Sequence, residues 1–191
     1  MNRTKPQGPL LRRLLQHTGG VAVVEFALTL PVLMTLFYGC IEVTRFILAT
    51  QKAEKLAHTV ADVTAQSAQV TLGNLNQLME ATNDIMNPFA FRQQGVVMVS
   101  SLYRTQGAAS AKVNWRYSGG GTLVATSHFG AVGSTPDMPG NFTFDERENV
   151  IAAEVFFRWS PLISNQFYGT QIIYRQAFYK PRFGALISTP I

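Results

Sequence analysis

Glu25 is the side chain whose surroundings ask most of it. It is the only charged residue in the segment Val21–Ile41, VAVVEFALTLPVLMTLFYGCI. A carboxylate placed in hydrocarbon costs roughly 2.5–3.5 kcal/mol at mid-membrane on insertion scales, and less near the interface. Two chemistries fit it: an interfacial carboxylate that reaches headgroups, or a carboxylate that pairs with a cation. The other groups with reactive potential promise less. Ser127-His128 and Asp145-Glu146 hold hydrolase residue types, but no G-x-S-x-G frames them. Asp145, Glu146 and Glu148 lack the spacing of a calcium loop and read as a solvated charged loop. Three histidines, His17, His58 and His128, stand far apart, and the one cysteine, Cys40, excludes an intrachain disulfide and a Cys-rich zinc site. Gly119-Gly120-Gly121 fits no phosphate-binding spacing and reads as a loop. The expectation is no catalytic residue, no metal and no cofactor.

The element that positions Glu25 is a hydrophobic helix. Twenty-one residues from Val21 to Ile41 make roughly 31 Å of helix, enough to cross a bilayer core. Pro31 lies inside it and removes one backbone donor, so a kink is expected there. A cleaved secretory signal peptide has a shorter apolar core ending in small residues. This run is longer and leads into Glu42, Thr44 and Arg45, with no A-x-A site close behind. Charge fixes the expected direction. The chain of 191 residues has a formal charge of +5, and Arg3, Lys5, Arg12 and Arg13 all precede Glu25. The 12 basic residues that remain nearly balance 11 acidic ones, so the basicity belongs to the leader and does not form a nucleic-acid-binding stripe. A basic leader before the span places the N-terminus in the cytoplasm and the C-terminal part outside.

Gly19-Gly20 closes the leader, and Glu25 and Phe26 are the fifth and sixth residues from Val21. A basic leader, a Gly, and a hydrophobic helix with Glu at its fifth position together resemble a type IV prepilin. The string GGVAVVEFALTLPVLMTLFYGCIEVTRF is similar to the N-terminus of TadE-like pseudopilins of the tight-adherence (Flp) pilus system, whose motif reads G-A-A-A-V-E-F-A-L-x-L-P. Val23, Val24, Glu25, Phe26, Ala27, Leu28, Leu30 and Pro31 match it, as do Glu42 and Arg45; residues 21–24, VAVV, are bulkier than the family's Ala-rich version. The resemblance is sharp over residues 19–46 and loose beyond. It implies cleavage between Gly20 and Val21 by a prepilin peptidase, with Glu25 and Phe26 serving processing and assembly. Cleavage would free an amine on Val21. Within one helix that amine lies about 6 Å along the axis from residue 25; a staggered neighbouring chain offers an intermolecular pair instead.

Beyond the span the helical period continues. Leu48, Lys52, Leu56, Val60, Val63, Ser67 and Val70 recur at three or four residues, beside Ala49, Ala53, Ala57, Ala61 and Ala65. One helix is expected from Val21 to about Gln69, and a second over Leu72–Met86, stopped by Asn87-Pro88. From Gly95 the period becomes two. Strands are expected over 95–104, 112–117, 150–159 and 170–180. Gly107 to Ser110 closes a hairpin between the first two, and residues 122–148 form a long connection with one short element. In the third strand Ile151, Ala153, Val155, Phe157 and Trp159 share a face, with Glu154 and Arg158 on the other and free to pair. In the fourth, Ile172, Tyr174 and Phe178 share a face. The fold class is α+β, an antiparallel four-stranded sheet covered by the outer half of the long helix. The chain divides into a leader (1–20), a transmembrane helix (21–48), an extramembrane helical region (49–88) and a β-rich region (89–191).

The expected function is that of a minor pilin or pseudopilin, not an enzyme, in a bacterial inner membrane with its C-terminal domain periplasmic. Its expected partners are the prepilin peptidase, other pilins or pseudopilins and inner-membrane pilus assembly proteins, with no nucleic acid. The rival is a single-pass membrane-anchored binding or sensory domain, which keeps its leader. An anchored hydrolase lacks any motif.

Overall fold

The computed structural model describes residues 20–140, 142–162 and 169–191. Helix α1 spans Val21–Ala65, α2 Leu72–Met86 and α3 Phe91–Gln94. Strands β1 (Gly95–Tyr103), β2 (Lys112–Gly119), β3 (Asn149–Trp159) and β4 (Gln171–Tyr179) form one sheet in the order β2-β1-β3-β4. Every neighbouring pair is antiparallel, and a bulge at Ser101/Leu102 shifts the β1–β2 register. This is the expected α+β layout. The chain divides into two compact units, one ending at Thr44 and one beginning at Arg45. In the first, no described residue is buried.

The second unit owns the core. The outer half of α1 buries Ala49, Ala53, Ala57, Ala61 and Ala65 together with Leu56 and Val60. Leu48 and Val63 stay exposed, so the buried stripe is the alanine one joined by Leu56 and Val60. Alanine keeps the helix axis near the sheet, and the bulk comes from the strands: Val97, Val99, Trp115, Ile151, Val155, Phe157 and Trp159 join the same cluster. The helix stops at Ala65, earlier than periodicity predicts. The Arg182 amide takes the Ala65 carbonyl at 3.0 Å, Arg182 pairs with Asp62 at 3.1 Å, and Ser67 turns back onto the Thr64 carbonyl. Thr71 then caps α2, its hydroxyl accepting the Asn74 amide. Lys52 ties the two helices by donating to the Ile85 carbonyl at 3.0 Å.

The other face of the sheet is buried as well. Residues 120–148 contain no helix or strand among those described, yet Leu123, Phe129 and Phe144 from this connection pack on Leu102, Val113, Val150, Ala152 and Phe156. On β4 Tyr174 and Phe178 pack against the connection, Ile172 of the same face is exposed, and Ile173 and Ala177 face the α1 cluster.

The glycine run after β2 has a packing reason. Gly120 adopts φ +80°, and a Cβ there would meet the Thr82 hydroxyl at 2.7 Å. A Cβ on Gly121 would press into the carbonyl oxygen of Gly95 and stand 2.8 Å from that of Phe91. Both obstacles are backbone and cannot rotate away. Gly121→Ala is therefore expected to destabilise the C-terminal unit by roughly 2 kcal/mol or more, read as a lower urea midpoint at unchanged slope.

Candidate functional site

The site residues read from the sequence lie at the start of α1. Gly20 is exposed in a 3₁₀ turn and the α-helix begins at Val21. Among the described residues nothing lies within 4 Å of where a Cβ on Gly20 would sit, so packing by them does not require glycine there. Val21, Val23, Val24, Phe26 and Leu28 are all exposed, Leu28 to 70%, and the exposed apolar run continues through Tyr38 to Leu48. Glu25 stands exposed among them, one helical turn from Val21. The helix continues through Pro31 without a break. Hydroxyls in this stretch are satisfied within the helix: Thr29 donates to the Phe26 carbonyl at 3.2 Å and Thr35 to the Pro31 carbonyl at 2.8 Å. That is what lipid demands of polar groups. Among the described residues α1 is the one helix long and apolar enough to cross a membrane.

Residues 20–62 match the family model of TadE-like proteins. Over these residues the chain is similar to TadE-like proteins. The TadE-like segment opens on Gly20, contains Val21, Glu25, Phe26, Pro31, Glu42 and Arg45, and closes at Asp62, before the sheet begins. A segment of this kind goes with tight-adherence pili and with membrane association. Neither a curated protein nor a solved structure matches the chain.

The chain carries a second polar constellation, in its C-terminal unit, that the sequence pattern missed. Glu154 is fully buried in β3, where an exposed partner of Arg158 was expected. It does not reach along the strand. The Ser127 hydroxyl donates to its Oε2, the His128 amide donates to its Oε1 at 2.8 Å, and the Tyr174 hydroxyl lies 3.0 Å from Oε1. Ser127 Oγ in turn accepts the Phe129 amide at 3.1 Å. The carboxylate thereby pins the connection to the sheet. Ser127 and His128 do not act as a nucleophile and its base here. The serine proton points at Glu154, His128 bonds to that carboxylate through its backbone, and its ring lies 4.2 Å from the Tyr174 ring. Burial, with the charge of Glu154 and the hydrogen bond to it, pushes the Tyr174 phenol well above its ordinary range. Burial also pulls the Arg116 guanidinium down, against the opposing pull of Glu154. Arg116 donates to Ser100 Oγ at 2.9 Å and to the Gly130 carbonyl at 2.7 Å, a further tie between sheet and connection.

The charged loop before β3 is also structural. Glu148 pairs with Lys180 at 2.5 Å and accepts the Asp145 amide at 2.6 Å. Burial alone would raise the Glu148 carboxyl, but Lys180 and the Asp145 amide outweigh it and hold it below the ordinary range. No cluster of three metal-ligating side chains forms among the described residues. A cleft of about 330 Å³ opens between Arg104, Ser110, Thr135, Met138 and Phe144. Its one cation is already engaged, Arg104 donating to the carbonyls of Ala108 and Phe144. The leader residues Arg3, Lys5, Arg12, Arg13 and His17, and Asn141 of the connection, lie outside the described residues.

Proposed function

We propose that this TadE-like protein is a minor pilin or pseudopilin of a tight-adherence (Flp-type) pilus system. It is made as a prepilin with residues 1–20 as leader, cut between Gly20 and Val21 by a membrane prepilin peptidase, and takes part in pilus assembly or priming through its N-terminal helix. It crosses the bacterial inner membrane once, N-terminus in the cytoplasm and C-terminal domain in the periplasm. Its partners are other pilins or pseudopilins and the inner-membrane assembly proteins, and its role is not enzymatic. One observation carries this reading: a helix begins at Val21 whose apolar residues as far as Ile41 are unburied, bears over that stretch a single carboxylate at its fifth residue, and follows a glycine that packing among the described residues does not require. A glycine with free space around it is suited to entering a narrow protease site at the membrane face. In an assembly, Glu25 is the acceptor for the amine freed on Val21, of its own or of a neighbouring chain, and that pairing sets the register between subunits.

Processing distinguishes this reading from a plain membrane anchor carrying a binding or sensory domain. Made beside its peptidase, the wild-type chain is expected to lose its leader, and Gly20→Val to persist as the full-length precursor on a gel. A wild type that also stays full length under those conditions favours the anchor.

A further inference from the structure

The two outer edges of the sheet differ. That of β2 is covered: the Val113 amide donates to the Ser134 carbonyl at 3.0 Å, the Gly133 amide donates to the Val113 carbonyl at 2.7 Å, and Arg116 reaches the Gly130 carbonyl at 2.7 Å. On β4 no such backbone cover exists among the described residues from Tyr174 to Tyr179. The ladder fixes which groups are left over. The Arg104 amide donates to the Glu148 carbonyl at 3.0 Å, so the even-numbered residues of β1 bond to β3. Stepping across the pairs Ser100 with Ala152 and Val155 with Arg175, the odd-numbered residues of β4 bond back to β3. Tyr174, Gln176 and Phe178 therefore turn their N–H and C=O groups outward. Of these groups the Tyr174 carbonyl alone is engaged among the described residues, by the Arg175 guanidinium at 2.7 Å.

A bare edge is a template for another strand, and proteins that keep one free interrupt it with Pro, a bulge or several charges. β4 has neither Pro nor bulge, pairs with β3 residue for residue, and is rich in β-forming Ile, Tyr and Phe. Its side chains say which strand fits. One side of the edge carries the half-buried Tyr174 and Phe178. The other carries Arg175, 4.0 Å from Glu54, and Tyr179, whose hydroxyl lies 3.3 Å from His58 Nδ1. From Gln171 to Ile191 the sequence holds Arg175, Lys180 and Arg182 and no acidic residue. A second copy is the wrong occupant. Arg175 is the middle residue of β4, so full antiparallel pairing of two β4 strands sets Arg175 against Arg175, and like charges directly opposite destabilise a pair. We propose that the edge of β4 docks an extended segment of a different protein as a fifth strand, with apolar residues over Tyr174 and Phe178 and a carboxylate opposite Arg175. Its arrival gives the Tyr174 carbonyl a backbone donor and releases the guanidinium to that carboxylate. The Glu54 contact, long and exposed on both sides, is a weak competitor. The docking is independent of processing at Gly20.

A photo-crosslinking residue, p-benzoylphenylalanine, at Gln176 of the full chain tests this in the cells that naturally make it. Irradiation is expected to give one product with a different protein. Its cross-linked peptide should alternate apolar and polar residues and hold Asp or Glu within two positions of the attachment point. Arg175→Glu in the same chain is expected to cut the yield about tenfold, and Arg175→Gln by less. Both variants should melt close to the parent, read on the detergent-solubilised chain. If the Glu variant unfolds beside Glu54, the Gln variant carries the test, its yield falling while its melting temperature holds. A product between two copies of this chain assigns the edge to self-pairing and overturns the proposal. So does the lack of any product, or a yield indifferent to Arg175 in folded variants.

Discussion

Glu25→Gln is expected to leave the chain made, inserted and cleaved, yet unable to co-purify with other pilus subunits. The two readings of Glu25 separate cleanly on this variant. An interfacial carboxylate is dispensable, because a neutral amide is easier to place in lipid. A carboxylate that receives the Val21 amine is not, because its loss leaves an uncompensated ammonium in an apolar setting. Removing one partner of a buried pair costs roughly 3–5 kcal/mol. At about 1.4 kcal/mol per decade that moves an assembly equilibrium by two to four orders of magnitude. Glu25→Asp should fall between, its charge kept but drawn back by one methylene. The exposure of Glu25 in the isolated chain fits a group whose partner arrives only with assembly. Normal co-purification of the Gln variant would show that the carboxylate does not set register.

The second large effect belongs to Glu154. Truncation to Ala strips the acceptor from the Ser127 hydroxyl and the His128 amide at a site where Glu154 itself is 0% exposed, while the Tyr174 hydroxyl keeps Gln176 Oε1 at 2.7 Å. A buried donor left unpaired costs roughly 1–3 kcal/mol. With partial repair by water, Glu154→Ala is expected to cost about 3–5 kcal/mol. For a domain of this size that lowers the melting temperature by about 10 °C or more. Tryptophan fluorescence of the detergent-solubilised full chain reads the transition. Glu154→Gln should be milder, since one oxygen still accepts while the amide nitrogen faces donors. The prediction bears on the fold and not on processing, so the Ala variant should still be cut after Gly20. An unchanged melting point would mean that Phe129 and Phe144 packing and the Arg116 and backbone ties hold the connection without Glu154.

The elements of the fold were legible because each announces itself locally. Alternation marks Val113, Trp115 and Tyr117 in β2, and the Thr71 and Asn87-Pro88 punctuation brackets α2 within a residue. The faces were harder. Alternation along β3 assigns Glu154 to solvent, but a second layer covers that face, and nothing in residues 120–148 has a period to betray that it is a lid. A usable signal was present: VIAAEVFFRW is nearly continuous in apolar residues, as in strands buried on both faces, and a lone carboxylate within such a run is a buried one. The tail was opaque for a similar reason. Leu186 accepts from Ser101 Oγ and the Trp115 indole and donates to Asn149, and all three contacts join residues far apart in sequence. On α1 the period gives the helix but not which residues face the sheet; the close helix–sheet approach takes the alanines and leaves Leu48 and Val63 exposed. At the N-terminal site the sequence was the more informative source. The residue types and their spacing carry the pattern there, and the helix adds that Gly20 is unconstrained and the apolar face unpartnered.

The central claim is that this chain is a processed pilin-like subunit whose functional N-terminus is Val21. N-terminal sequencing of the membrane-fraction protein, taken from cells that also make its prepilin peptidase, tests it directly. The account predicts a sequence beginning Val-Ala-Val-Val-Glu-Phe. A membrane-fraction chain that still begins Met-Asn-Arg-Thr contradicts it.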